Sequence, residues 1–477
     1  MKLCLSIAPQ SMDEAIAMLK SVDKSVELVE IRIDGLHGLD LEELLKRRRP
    51  KVIITNRRSQ EGGAFTGSAA EQIDILSQAS RLGAEFLDIE ISWGFDHVRE
   101  LMQKSRKSSV IVSYHNFVET PADLMSIYRK IRSTNAYVVK IATHAASIDD
   151  NTRIFELCDA ARRDRQRIVA LCMGERGEIS RILGAKYGSF LTFGSASALE
   201  STAPGQRTVE DLQKVFRIHT LASRTKVFGL IGNPVSQSEG IYFHNRIFAR
   251  ESANAVYVNF LVDNLAAFMI SFREMIAGAS VTMPFKEEIM TQIDNISETA
   301  ATVHAVNTLV RRRGKLHGHN TDFPAMSALF QERMKLKGKN VIVLGTGGTA
   351  KTMAFAALTH GARTTILGRS MEKAESLGKL LGCSYAALEH LPDLPCDILM
   401  NGTSVGMAGV SSPGPDQSPV HPNFFRKKRI VVFDAVYNPP MTQLLRDAKA
   451  FHCETISGVE LFQRQAQLQS KLFLESL

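Results

Sequence analysis

Lys140 lies inside Ala136-Tyr137-Val138-Val139-Lys140-Ile141-Ala142, a short apolar run of strand-forming residues. An unpaired ammonium in such a place is costly, and burial lowers a lysine pKa toward neutrality. A neutral amine can attack a ketone and form a Schiff base. A lone lysine in a strand more often sits at an exposed end. His115 closes the strand-like segment before it, Ser109–His115. A histidine beside a Schiff-base lysine is the pair needed to take a proton from the carbon alpha to an imine. Further on, Lys286 follows Pro284-Phe285, and Asp322 ends His319-Asn320-Thr321-Asp322. This lysine and carboxylate could handle a proton beside a carbonyl being reduced, or could be an ordinary surface ion pair.

These residues need a frame. The chain has 477 residues, enough for two to four domains with real cores. Hydrophobic content of 44% and charged content of 23% are those of a globular protein. No apolar run approaches the roughly 18 residues of a membrane span. The start, Met1-Lys2-Leu3-Cys4-Leu5, reads as a first strand and lacks the flanks of a signal or transit peptide. Six scattered cysteines without a Cys-x-x-Cys suit a reducing cytoplasm and argue against a zinc site. The net charge is +8, with basic runs at Lys46-Arg47-Arg48-Arg49 and Arg311-Arg312-Arg313. Without interleaved aromatics these read as solvated faces, not nucleic-acid contacts. Mild basicity suits anionic substrates and a phosphorylated cofactor.

Eight strand-like segments precede residue 200: Lys2–Ala8, Val26–Asp34, Lys51–Arg57, Ala84–Ser92, Ser109–His115, Ala136–Thr143, Arg167–Gly174 and Ser189–Ala196. Helix-compatible stretches follow them, among them Ser11–Lys20, Ala69–Leu82 and Pro121–Ser133, and Thr208–Ala222 closes the series. Eight such units predict a (β/α)8 barrel with its chemistry at the C-terminal strand ends. Period two puts Leu28, Glu30, Arg32 and Asp34 on one face, pointing into the barrel mouth. Strand three ends at Arg57, before Glu61-Gly62-Gly63. Neighbouring strands lie about 4.8 Å apart, so His115 and Lys140 can meet over one substrate.

Over roughly residues 1–220 the sequence resembles type I 3-dehydroquinate dehydratases. The resemblance rests on Glu30-Ile31-Arg32, Arg57 with Glu61-Gly62-Gly63, Ser113-Tyr114-His115-Asn116-Phe117, Val139-Lys140, Met173-Gly174 with Ser180-Arg181, and Ala203-Pro204-Gly205-Gln206. It implies that Lys140 forms the Schiff base and that His115 removes the alpha proton and helps expel water. It further implies that Arg181 and Gln206 hold the carboxylate and nearby oxygens. Glu30, Arg32 and Arg57 would contact the ring hydroxyls, and Glu61 would stand near His115. Thr202 keeps a hydroxyl where the family often has serine.

The second half carries Asn340-Val341-Ile342-Val343-Leu344 and then Gly345-Thr346-Gly347-Gly348-Thr349-Ala350. A glycine-rich turn between strand and helix lets backbone N–H groups approach a pyrophosphate. The next strand-like segment, Arg363–Gly368, ends in Arg369-Ser370 with Lys373 beyond, where an NAD enzyme would place a carboxylate. A guanidinium there predicts a ribose 2′-phosphate, and so NADP(H). Further strands are expected at Asp397–Asn401 and Arg429–Ala435, completing a doubly wound domain, and Val410–Pro422 as a loop.

Residues 224–477 resemble shikimate dehydrogenases. The match is carried by Gly232-Asn233-Pro234-Val235, Val281-Thr282 with Pro284-Phe285-Lys286, Ala305-Val306-Asn307-Thr308, Asn320-Thr321-Asp322, the glycine-rich turn, Asn401-Gly402-Thr403-Ser404-Val405-Gly406-Met407, Asp434 with Val436-Tyr437, and Gly458 with Gln465. The resemblance implies Lys286 and Asp322 as the catalytic pair. Ser236, Ser238, Thr282, Asn307, Tyr437 and Gln465 would surround the shikimate carboxylate and hydroxyls. Thr403, Gly406, Met407 and Gly458 would serve the cofactor with the glycine-rich turn. Three departures stand out: Gly240 where the family has a carboxylate-binding serine, Ser280 for a common asparagine, and Gly368 for the asparagine before the cofactor arginine.

The expected domains are a barrel at 1–222, a substrate-binding domain at 223–325 completed by 453–477, and a Rossmann NADP-binding domain at 326–452. Together they imply a cytoplasmic bifunctional enzyme acting on 3-dehydroquinate, 3-dehydroshikimate and shikimate. No metal is needed, because the lysine supplies the electron sink. Membrane and nucleic acid are not expected partners, and oligomeric state is open. Two other readings remain: a Schiff-base aldolase-type barrel joined to a quinate-type dehydrogenase, and a non-catalytic metabolite-sensing protein.

Overall fold

The computed structural model describes residues 1–46, 50–409, 414–426 and 428–477. The arginines of the first basic run and residues 410–413 of the expected loop lie outside these. The chain forms two units, Met1–Thr225 with Asn254–Val256, and Lys226–Ala253 with Tyr257–Leu477.

In the first unit the strands are β1 (Lys2–Ile7), β2 (Leu28–Arg32), β3 (Lys51–Thr55), β4 (Phe86–Glu90), β5 (Ser109–His115), β6 (Val138–His144), β7 (Ile168–Met173) and β8 (Leu191–Gly194). They form one parallel sheet in which β1 pairs with both β2 and β8, and β2 to β7 follow in order. Between β7 and β8 the amide of Phe190 donates to the Ile168 carbonyl at 2.7 Å, so the eight strands make a near-closed barrel. The strands are buried almost throughout, as a parallel sheet covered by helices requires. An apolar floor takes Cys4, Leu28, Ile53, Phe86, Ile111, Val138, Val169 and Leu191, one residue from each strand. Two residues further along, period two brings Ser6, Glu30, Thr55, Asp88, Ser113 and Lys140 to the same interior face. The barrel is therefore apolar below and charged above.

Local chemistry sets the helix starts. Ser68 caps helix Ala69–Arg81 through a capping box with Glu71, and Ser11 caps Met12–Ser21. The expected closing helix over 208–222 is not a single helix. One π turn covers Asp211–Val215 and one 3-10 turn Ile218–Thr220. Between them Arg217 has φ 49°, a left-handed conformation that ends a right-handed helix.

The second unit holds two six-stranded sheets. One comprises β9 (Lys226–Gly232), β10 (Ala255–Leu261), β11 (Ile276–Val281), β12 (Asn295–Ile296), β13 (Thr308–Arg312) and β14 (Lys315–His319) in the order β10-β9-β11-β13-β14-β12. The other comprises β15 (Asn340–Leu344), β16 (Arg363–Gly368), β17 (Ser384–Ala387), β18 (Ile398–Asn401), β19 (Val431–Asp434) and β20 (Glu454–Ser457). Its order, β17-β16-β15-β18-β19-β20, is the doubly wound dinucleotide-binding order, with the switch point between β15 and β18. Two boundaries differ from the expected ones. β20 pairs with β19, so 453–457 belong with the second sheet and the returning segment is helix Gly458–Glu475. Helix Asp322–Arg333 runs through the expected break at 325. No described helix is long and apolar enough to cross a membrane.

Trp93, the only tryptophan, lies in the first unit under the Arg58 guanidinium. Ser68→Ala should cost about 1 kcal/mol, the usual loss for an N-cap. Urea unfolding followed by Trp93 fluorescence should show an earlier transition at unchanged slope; an unmoved midpoint would mean the capping box does not stabilise this unit.

Candidate active sites

The barrel cavity is lined by Glu30, Arg32, Arg57, Glu61, His115, Lys140, Arg181, Thr202 and Gln206, together with Ser6 and Phe193. Of the charged residues expected in the barrel mouth only Asp34 does not line it: its carboxylate accepts instead from Arg32 and from the Arg57 and Ala64 amides.

Lys140 is 5% exposed. The expectation of an unpaired amine is not met. Its Nζ lies 2.8 Å from Asp88 Oδ2 and 3.3 Å from Glu30 Oε1, and 4.6 Å from the centre of the Phe193 ring. The cost of burial is offset by opposite charge. Asp88 also receives Arg57 Nη2 at 3.0 Å, while Arg57 Nη1 bonds Glu90 at 2.7 Å and Ser113 at 2.9 Å. Burial alone would raise the Asp88 carboxyl. The charges of Arg57 and Lys140 outweigh it and hold Asp88 well below the usual range. Glu30 is lowered too: burial opposes ionisation, Lys140 favours it, and Ser6 Oγ bonds it at 2.7 Å.

Asp88 and Glu90 are not found from the sequence. The signal was present: β4 reads Phe86-Leu87-Asp88-Ile89-Glu90, with two acids on one face of an otherwise apolar strand.

His115 Nδ1 lies 3.0 Å from Glu61 Oε2, which also accepts from the His115 backbone N–H at 3.2 Å. A carboxylate acceptor at Nδ1 places the ring proton there and leaves Nε2 as a lone pair, the form of a base. Burial, then the Arg57 and Lys140 charges, pushes the imidazole well below its usual value and keeps it neutral. Glu61 is held by Ser92 Oγ at 2.5 Å, and burial raises its carboxyl. Its loop needs Gly63, where a β-carbon would collide with the Arg57 carbonyl.

Arg181 is different from Arg57. It is 3% exposed yet has no ion pair among the described residues; Nη2 donates to the Pro204 carbonyl and Nε has no partner. Burial lowers it to about 10. Gln206 Oε1 accepts from the Thr202 amide at 2.9 Å, which fixes its side chain and leaves Nε2 buried without a partner. A buried unpaired guanidinium and an unpaired amide donor are what a ligand carboxylate satisfies.

A second cavity in the second unit is lined by both catalytic candidates and both sheets' loops. Lys286 Nζ lies 2.6 Å from Asp322 Oδ2 and 3.4 Å from Thr349 Oγ1. Asp322 opens its helix, where the N-terminal dipole favours a carboxylate. The loops are stapled reciprocally: Asn307 Nδ2 donates to Thr321 Oγ1 at 3.0 Å and Asn307 Oδ1 accepts from the Thr321 amide at 2.8 Å. Asn320 donates to the Ala305 carbonyl. Of the polar residues expected around the substrate, Ser238, Thr282, Asn307, Tyr437 and Gln465 line the cavity, but Ser236 is exposed outside it. Tyr257, His244 and Gln469 also line it and were not found from the sequence, where they read as ordinary core or helix-surface positions.

The glycine-rich turn lies at the C-terminal end of β15, at the switch point. Gly345 has φ 107°, and a β-carbon at Gly347 would meet open space. At Gly348 it would stand 3.2 Å from Lys286 Cδ, so this glycine admits the lysine. Gly345 through Thr349, Arg369, Lys373, Thr403, Met407 and Gly458 all line the cavity. Arg369 and Lys373 are exposed cations at its rim. A dinucleotide bearing a 2′-phosphate fits this donor set. Two expected cofactor residues serve packing instead. Ala350 is fully buried and its Cα leaves no room for a side chain at position 402, and Gly406 faces Gln417 and Thr442 outside the cavity. Among the described residues no group of three His, Cys, Asp or Glu side chains is placed to hold a metal ion.

Comparison with known proteins agrees with this division. The type I 3-dehydroquinase family profile matches residues 3–222, and that of the shikimate dehydrogenase substrate-binding domain matches 230–309. The chain is 36% identical over 499 aligned positions to the chloroplastic bifunctional 3-dehydroquinate dehydratase/shikimate dehydrogenase of Arabidopsis thaliana, covering 99% of this chain and 81% of that protein. It is 27% identical to the shikimate biosynthesis protein AroDE of Chlamydia pneumoniae, over 99% of this chain and 95% of that one. Shikimate dehydrogenase (NADP(+)) of Pyrococcus abyssi is 37% identical over 52% of this chain and 92% of its own length.

The depressed His115 pKa sets a pH expectation. The folded imidazole stays neutral while an unfolded histidine protonates near about pH 6.5, so this residue favours unfolding as pH falls below that value. Nitrogen NMR of labelled protein should find His115 as the Nδ1–H tautomer at pH 6. Titration near 6.5 would contradict the geometry.

Proposed function

The chain belongs to the family of bifunctional 3-dehydroquinate dehydratases/shikimate dehydrogenases, and from that premise we propose that its two cavities carry out two successive steps. The barrel dehydrates 3-dehydroquinate to 3-dehydroshikimate. The second unit reduces that ketone to shikimate with NADPH. The observation that carries the reading is the buried Lys140, ion-paired in a cavity that also holds a neutral histidine and an unpaired arginine.

In the first step Lys140 Nζ adds to the ring ketone, water leaves, and the protonated imine withdraws electrons from the neighbouring carbon. His115 Nε2 takes the alpha proton to give an enamine. The enamine then expels the ring hydroxyl, to which His115 returns the proton, and hydrolysis frees Lys140. Arg181 and Gln206 hold the carboxylate. Glu30, Arg32, Arg57 and Thr202 order the ring hydroxyls, and Glu61 keeps the base in its tautomer. Asp88 and Glu30 hold the Lys140 tip in place over the apolar floor.

For the second step, NADPH held by the glycine-rich turn would supply a hydride for the ketone carbon. Lys286 and Asp322 face the carbonyl oxygen and deliver the proton that completes the alcohol. Ser238, Thr282, Asn307, Tyr437 and Gln465 position the ring. Arg369 and Lys373 meet the 2′-phosphate, and the turn Gly345–Thr349 meets the pyrophosphate through its N–H groups. The six unpaired cysteines suit a reducing cytoplasm.

The two-site division is tested by crossed variants. Lys140→Ala should abolish dehydration, and borohydride should no longer fix substrate mass to the chain, while reduction of added 3-dehydroshikimate persists. Asp322→Asn should lower kcat for reduction by about 10²–10⁴-fold, the usual worth of a positioned proton donor, and leave dehydration intact. Equal loss of both activities in either variant would contradict two independent sites.

A further inference from the structure

Position 240 has no side chain, although it sits at the start of helix Gly240–Arg250, where the helix dipole favours an anion. A β-carbon there would stand 3.2 Å from Ser238 Oγ and 3.4 Å from the Tyr257 hydroxyl oxygen. The phenol of Tyr257, on β10, thus borders the place where a serine hydroxyl would begin, and it lines the same cavity. Its ring is 1% exposed and stacks on His244 at 4.4 Å, and His244 in turn is fixed by Ser470 Oγ at 2.7 Å. Burial pushes His244 down to about 3, so no cation lies beneath the ring, and burial likewise raises the Tyr257 phenol, which stays a donor throughout the working range.

The donor accounting points the same way. Ser280 Oγ gives its proton to Gln469 Oε1 at 2.9 Å. Gln469 Nε2 gives its protons to the Asn307 carbonyl and to Thr308 Oγ1, each at 3.0 Å. With its proton committed to Gln469, Ser280 Oγ can serve a neighbouring hydroxyl only as a neutral acceptor. A carboxylate arriving beside Ser238 is the stronger acceptor, since charge-assisted bonds are roughly twice as strong.

We propose that the Tyr257 hydroxyl, on a ring fixed by stacking on His244, is a specificity-determining donor to the substrate carboxylate and takes the place of the hydroxyl absent at Gly240. The inference rests on the reading that this cavity binds shikimate with its carboxylate beside Ser238. It joins two departures of the sequence, Gly240 and Ser280, into one arrangement. Gln469 is the third member: its amide links Ser280 to the Asn307 carbonyl and the Thr308 hydroxyl.

The test is shikimate binding and steady-state reduction with the full chain. Tyr257→Phe keeps the ring and its packing and removes only the hydroxyl. The KM for 3-dehydroshikimate and the Kd for shikimate by calorimetry should rise about tenfold or more, the loss of one hydrogen bond to a charged group. kcat should change less than the KM does. The KM for NADPH and the dehydration rate should stay as they are, which reports an intact fold. Gly240→Ser on the Tyr257→Phe background should recover most of the lost affinity. With the carboxamide analogue of shikimate, the Tyr257→Phe penalty should shrink. Unchanged shikimate affinity in Tyr257→Phe, or no recovery by Gly240→Ser, would overturn the inference and leave the shikimate reading standing. Absence of shikimate binding by the unaltered chain would overturn both.

Discussion

Lys140 and Asp88, 2.8 Å apart inside the barrel, are the contact on which the first site depends. Neither charge tolerates burial alone. Asp88 is shared between Lys140 and Arg57, Arg57 is shared between Asp88 and Glu90, and Glu30 closes the other side of Lys140. Removing one member leaves a buried charge without its partner, which is costlier than deleting a neutral pair. The cluster therefore fixes the lysine tip to a small volume and fills the space above the apolar floor. Burial, reinforced by the same positive charges, keeps His115 neutral, so a base and the lysine of the ion pair coexist in one cavity. Among the described residues Arg181 is left without an ion-pair partner, which is why it is the place proposed for the substrate carboxylate.

The second site is built by the opposite device. It has few buried charges and relies on backbone that can approach closely. Gly348 admits the Lys286 stem, and Gly345 makes the left-handed turn after β15. The pairing of Asn307 with Thr321 locks the loops that carry the substrate side of Lys286 and Asp322. Hydride transfer needs a cofactor and a ring held face to face, and here the cradle for one and the cage for the other share the lysine at their border.

Much of this was legible in the residues. The barrel followed from eight apolar segments at regular spacing, because a buried parallel strand has to be apolar on both faces. Glu30, Arg57 and Lys140 were visible as charges breaking those runs. Asp88 and Glu90 break β4 in the same way, but two acids in a strand carry no mark of the lysine and arginine they meet only once the barrel closes. The ion-paired state of Lys140 was illegible for that reason. Strand ends were read two residues long at Asp34 and Arg57, since side-chain pattern continues after the ladder stops. The domain boundary near 453 was misplaced because β20 is only four residues and its partner is a matter of sheet order. Tyr257 and Gln469 were invisible as site residues: their period assigns them to a buried strand and a helix, and only three-dimensional packing turns their polar tips to the cavity.

The central claim is that one chain performs both steps in sequence. It is tested most directly by following NADPH absorbance with 3-dehydroquinate as the only added substrate and the purified chain as the only protein. The account predicts sustained oxidation, with one shikimate formed for each NADPH consumed. No oxidation from 3-dehydroquinate, together with none from added 3-dehydroshikimate, would contradict it.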